Sequence, residues 1–348
     1  MLRPVLDVLD LLARPDVTGA AVAASLEGQL NVTPFDTTPD TRSARDSHVD
    51  VAAELDPHPT VETHEVTGER GTTEFVRVRI PGAQGRMSGG SAPTLGIVGR
   101  LGGIGARPEV IGFVSDGDGA AAALAAASSL LRMWALGDRL VGDVQICTHV
   151  CPTAPTLEHD PVPFMNAPVD MPTMNDHEVS ADMDAIVSID TTKGNRLVNH
   201  RGIAIAPPVR DGWILRLPED TLRIASVVTG RDPVVLPLTT QDITPYGNGL
   251  PHVNSILQPS TATTAPVIGL AITAQSVVPG CASGASHETD IAEAARFAVE
   301  LAKEFTAGAA QVHYEEEFNE LVRRYGSMRH LQTLGHDDHA DVIREGGS

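Results

Sequence analysis

Short alternating apolar runs and longer runs with helical spacing follow one another along most of the chain, and together they predict a βαβ rhythm. The strand-like runs are TEFVRVRI (73–80), TLGIVGRL (94–101), EVIGFVSD (109–116), DVQICTHV (143–150), DAIVSID (184–190), DPVVLPL (232–238) and APVIGLAIT (265–273). The helix-like runs are GAAAALAAASSLLRMWAL (119–136), EDTLRIASVVTG (219–230), DIAEAARFAVELAKEF (290–305) and EEEFNELVRRYG (315–326). Ahead of them, MLRPVLDVLDLLARPD has the pattern of an amphipathic helix interrupted by acids. The expected organisation is a helical segment at 1–32, a flexible acidic and proline-punctuated insertion at 33–60, one α/β domain over 61–334, and a disordered tail at 335–348. Neither heptads nor internal repeats break this pattern.

Composition sharpens the fold class. Aromatic residues make up only 3% of the chain, so the core must be built from Ala, Val, Ile and Leu. That suits a mostly parallel sheet covered by small-residue helices, a three-layer α/β/α arrangement. The formal net charge of −20 argues against nucleic acid or an anionic membrane as partner and leaves small molecules or peptides. Three cysteines fit reduced thiols better than a disulfide framework. With no uninterrupted apolar leader and no run approaching the roughly 20 residues that span a bilayer, a cytoplasmic protein is expected.

Ligands of open α/β sheets bind beyond the carboxyl ends of the strands, so the residues ending each apolar run are the ones to weigh. Asp116 follows EVIGFVS, His149 lies in DVQICTHVC, Asp190 ends AIVSI, and a glycine-rich loop after VIGLAIT leads to His287. Carboxylate and imidazole donors recurring at four such edges suit a divalent metal, zinc foremost, with manganese or cobalt as alternatives. Asp116 or Asp118 could equally cap the alanine helix, and Asp290 with Glu293 looks like a capping pair for the last long helix. Cys151 beside His149 could form an activated thiolate, or be a buried inert thiol. Lys193 past Asp190, and Asp242 and His252 in TTQDITPYGNGLPHVNS, are candidate substrate-binding residues.

Two resemblances add to this reading. The blocks APTLGIVGRLGGIGARPE, HDPVPFMNAPVDMPTMN, SIDTTKGNRLVNHRGIAI, TTQDITPYGNGL, PGCASGASHETDI and YGSMRHLQTLG resemble the family known as domain of unknown function 1177. More distantly, the order of motifs is similar to the co-catalytic zinc aminopeptidases and carboxypeptidases. VSDGDGAAAALAAASSLL looks like their metal-bridging aspartate and its helix, DAIVSIDTT like the next carboxylate ligand, and GASHETDI like the last histidine ligand. This resemblance implies a zinc-exopeptidase-like core, metal held by Asp116, His149, Asp190 and His287, and assembly into a homo-oligomer.

The departures from that pattern fall at two positions. Arg100 stands where the peptidases have a histidine ligand, and Thr148-His149 where they have paired glutamates. Two functional expectations follow. One is a metal-dependent hydrolase of a small peptide or amide, with His149 as ligand or base. The other is a non-catalytic protein of peptidase fold that binds an amino acid or small peptide, with the Arg100 guanidinium gripping a ligand carboxylate.

Overall fold

In a computed structural model, residues 1–31, 57–100, 102, 113–158, 164–192, 194–275 and 286–335 are described. Lys193, the segment 33–56, Cys281 and the first half of the run 109–116 lie outside them, as does the tail from 336. The chain opens with helices α1 (Leu2–Leu12) and α2 (Gly19–Glu27), then runs through β1 (Thr60–Gly68), β2 (Gly71–Ile80), β3 (Leu95–Gly99), α3 (Asp118–Ala135) and β4 (Val144–Val150). A short pair, β5 (Thr156–Leu157) and β6 (Phe164–Met165), precedes α4 (Met171–Glu178) and β7 (Ala185–Thr192). The remainder is β8 (Gly202–Ile205), β9 (Val209–Arg210), β10 (Trp213–Ile214), α5 (Glu219–Thr229), β11 (Val267–Thr273), α6 (Glu288–Thr306) and α7 (Glu315–Tyr325).

Strands β4, β3, β7 and β11 lie side by side and parallel, forming the middle of the main sheet. The hairpin β1–β2 extends it antiparallel beyond β4, and β8, β9 and β10 extend it antiparallel beyond β11. Alternation along each strand sends side chains to opposite faces. On one face Leu95, Ile97, Val144, Ile146, Val187, Ile189, Leu270 and Ile272 form the larger core with α1, α2, α3, α5 and α6. On the other face Val98, Cys147, Ile186, Val267 and Ala271 form a smaller core beneath the loops around 236–257. The sequence therefore folds as expected into a mostly parallel mixed sheet with helices on both sides.

Local chemistry explains several boundaries. Thr18 accepts a hydrogen bond from Ala21 N at the start of α2, and Asp170 accepts one from Thr173 N at the start of α4, where Pro172 fits the first turn. Helix α5 ends at Gly230, whose φ of 67° is the left-handed conformation that glycine adopts without steric cost.

Three sequence expectations change. DPVVLPL forms no strand and makes only a single bridge, Val235 to Ile205, because Pro233 and Pro237 remove ladder donors. Strand β1 begins at Thr60 inside what reads as polar linker; it is an outer strand, largely exposed, and so carries no apolar alternation. Asp290 and Glu293 do not cap α6: Asp290 pairs with Arg201 at 3.2 Å and Glu293 with Arg231 at 2.6 Å. The N-terminal helices pack on the sheet domain: Val5, Val8, Leu12, Val22 and Leu26 belong to the larger core. Among the described residues no helix is long and apolar enough to cross a membrane.

Candidate functional site

The parallel register of the three central strands assembles the site. Val98 of β3 is level with Cys147 of β4 and with Ser188 of β7. Two residues further on, Arg100 is level with His149 and Asp190, and the period of two puts all three side chains on the same face. Arg100 N donates to Ile189 O at 2.7 Å, continuing the ladder one step past the end of β3. An imidazole, a guanidinium and a carboxylate thus stand in a row on adjacent strands, spaced by about 4.8 Å of strand separation.

Helix α4 closes over this row. Its Glu178 places Oε1 at 2.8 Å from His149 Nδ1 and Oε2 at 2.8 Å from Arg100 Nε, and all three side chains are 0% exposed. One turn earlier, Asn175 accepts from Arg100 Nη2 at 2.5 Å and donates to Gln258 O and Thr261 Oγ1. Met171 accepts from Arg100 Nη1 at 2.7 Å. Met171, Asn175 and Glu178 lie on one side of α4 through the i, i+4, i+7 spacing, and that side faces the guanidinium. His149 is also flanked by Phe75, with ring centroids 5.1 Å apart, and its Nε2 is buried with no hydrogen-bond partner among the described residues.

Asp190, at the other end of the row, meets a different environment. Its Oδ1 accepts from Thr191 N at 2.7 Å and its Oδ2 accepts from the Ser255 hydroxyl. Burial raises its pKa to about 6, against the opposing pull of those hydrogen bonds and of Arg100. Ser255 is half-buried, and next to it Tyr246 stacks on His252 with centroids 4.3 Å apart. Burial, and then the charge of Asp190, push the Tyr246 phenol up; burial holds His252 below the usual imidazole range.

The expected metal ligands do not converge among the described residues. His149 and Asp190 share the row, but the Arg100 cation stands between them. Asp116 is buried in the short turn that leads into α3, and its charge reaches Tyr246 as that of Asp190 does. His287 is exposed at the N-cap of α6. No group of three or more His, Cys, Asp or Glu side chains among the described residues is placed to hold a metal ion. A fixed guanidinium one strand away from both His149 and Asp190 opposes a second cation at the row, so the row does not fit the expected metal centre.

Other candidates also take different places. Arg100 faces Glu178 rather than a ligand carboxylate, because the fully buried cation needs an internal anion. Asp242 organises its own loop: its carboxylate accepts from Thr239 N and Oγ1 and from Val253 N and Asn254 N. The N-cap of α3 is Gly117, and Asp118 accepts from the Ser286 hydroxyl. Burial pushes the Cys147 and Cys151 thiols up to about 12 and about 11, which removes the activated-thiolate reading. Sequence reasoning missed Glu178, Asn175, Ser255 and Tyr246. Asp170 followed by Met-Pro is a helix-start signal that would have found α4.

A comparison with curated proteins gives no match. Among solved structures, the cytosol aminopeptidase from Coxiella burnetii is similar over 85% of this chain and 68% of its own, with 14% identity and a TM-score of 0.45. The family model described as "Protein of unknown function (DUF1177)" matches residues 64–335, which include the whole His149–Arg100–Asp190 row and its Glu178 brace. The chain belongs to the DUF1177 family.

Proposed function

We propose that this chain binds a small amino-acid-like or peptide-like ligand by its ammonium group at the C-terminal edge of β3, β4 and β7, rather than hydrolysing an amide with a bound metal. The observation that carries this reading is the unequal treatment of charge along the row. The Arg100 cation is matched by Glu178, whereas the Asp190 carboxylate, raised to about 6, has hydroxyl and amide donors beside it but no contacting cation among the described residues. A ligand ammonium reaching Asp190 past Ser255 would supply the missing countercharge, and the stacked Tyr246–His252 pair would line its approach.

The test is thermal-shift and calorimetric titration with glycinamide and with dipeptides, beside their N-acetylated analogues. Free amines are expected to stabilise the protein saturably, N-acetylated ones not, and Asp190→Asn to abolish the effect. Metal content by plasma mass spectrometry is the decisive counter-measurement. One or two equivalents of zinc, manganese or cobalt, lost in Asp116→Ala together with an amidase activity, would replace this reading with the metal-dependent hydrolase.

A further inference from the structure

At the other end of the sheet, where β7 and β11 begin, a cavity of about 780 Å³ opens; its lining includes Val179, Met183, Arg210, His313, Glu315 and Arg329. Its size is that of small-molecule sites, roughly 300–1,000 Å³. A second cavity of about 750 Å³ adjoins it and shares His313 and Glu315. Two arginines, Arg210 and Arg329, are on the lining of the first, in a chain of net charge −20.

Arg210 is held rigidly. Its guanidinium lies 4.2 Å from the Phe318 ring centroid, and its Nε donates to Thr264 O at 3.2 Å. Its Nη1 is shared between His313 Nε2 at 2.7 Å and Glu315 Oε2 at 2.5 Å. His313 Nε2 also lies 2.8 Å from Glu315 Oε2, so the guanidinium, the imidazole and the carboxylate meet in one cluster. Burial, and then the Arg210 charge, depress the imidazole pKa against the opposing pull of Glu315. Arg329 gives its Nε to Asp211 at 2.9 Å. The Nη2 of Arg210 and both Nη groups of Arg329 carry no hydrogen bond to the described residues. Asp184, the other acid on the lining, is already neutralised by Arg86 at 2.6 Å. That leaves Glu315, more than half exposed, as the anion on Arg210.

We infer that this cavity binds a small molecule with an apolar body and one anionic group, carboxylate or phosphate, held by Arg210 and Arg329, with Glu315 occupying the anion position when no ligand is bound. Paired guanidiniums recognise planar or tetrahedral oxyanions through charge-assisted hydrogen bonds. Val179 and Met183 supply apolar surface for the body.

Calorimetric titration of the full chain with hippurate and with phenyl phosphate, with benzamide as the neutral control, tests this. At least one anion is expected to bind saturably and benzamide not to bind; which anion wins separates carboxylate from phosphate. Arg329→Gln, at an exposed position that leaves folding intact, should weaken binding about tenfold or more. Glu315→Gln should tighten it, since the internal competitor is removed. Asp190→Asn at the far edge should leave it unchanged, which keeps this outcome separate from that of the ammonium site. Binding by neither anion, affinity indifferent to Arg329→Gln, or weakening in Glu315→Gln overturns the inference.

Discussion

Replacing Glu178 by Gln removes one charge from a fully enclosed network and almost none of its volume. Glutamine keeps an oxygen that can serve one of the two partners now held at 2.8 Å, so the loss is of charge rather than of shape. Among the described residues Arg100 is then a buried cation that keeps its hydrogen bonds to Asn175 and methionine sulfur, with the Asp190 carboxylate one strand away. Breaking a buried ion pair in this way costs about 3–5 kcal/mol. The oxygen that glutamine retains argues for the lower end, about 3 kcal/mol. Replacing both partners, Arg100→Met with Glu178→Gln, removes the stranded charge and should cost much less than the two single losses added together. Equilibrium urea denaturation of the four proteins in this cycle measures the coupling. A loss below about 1 kcal/mol in Glu178→Gln, or simple additivity in the double variant, would refute the claim that the brace is a desolvated charge pair.

Three further outcomes are expected. For Asp190 the native pKa of about 6 lies above the unfolded value near 3.8. Its contribution to stability is therefore full below the unfolded value and lost as pH rises through 6, about 3 kcal/mol for two pH units; in pH-dependent denaturation, Asp190→Asn should gain on the wild type between pH 4 and 7, and a constant difference would contradict this. A Cβ at Gly102 would sit 2.2 Å from His149 O and 2.5 Å from its ring carbons, so Gly102→Ala should lose about 1–3 kcal/mol in the same assay. In a Cys281→Ser background, Cys147 and Cys151 should resist iodoacetamide at pH 8 until the protein is unfolded, because burial holds both thiols protonated; prompt native labelling would count against it.

The central strands and the long helices were legible because their signal is periodic and apolar. LGIVG, VQICTHV, AIVSID and VIGLAIT each fall within a run read from the pattern, and those strands bring His149 and Asp190 to one edge. What stayed hidden depends on register and on a polar helix. That Arg100 stands level with His149 and Asp190 follows from pairing, which residue order alone does not fix. Glu178 sits on MPTMNDHE, whose Asn175 and Glu178 face the buried charge row instead of solvent, so the apolar period that marks a helix is missing. Asp242 looked functional because it is an acid in a turn-rich loop, and the same features make it the acceptor that folds the loop.

Helix α3 has almost no wet side: of its residues only Ser129, Arg132 and Met133 are not buried. An alanine helix so enclosed is an inner beam of the protein, and part of its cover is the leading pair of helices, α1 and α2. The family match starts at residue 64, well after that cover. The stretch by which relatives are recognised is thus smaller than the stretch that must fold together. A domain cut at the recognisable boundary would expose a smooth strip of alanine, valine and leucine to water. Anyone expressing this protein, or defining the family's folding unit, should begin the chain at its first helix.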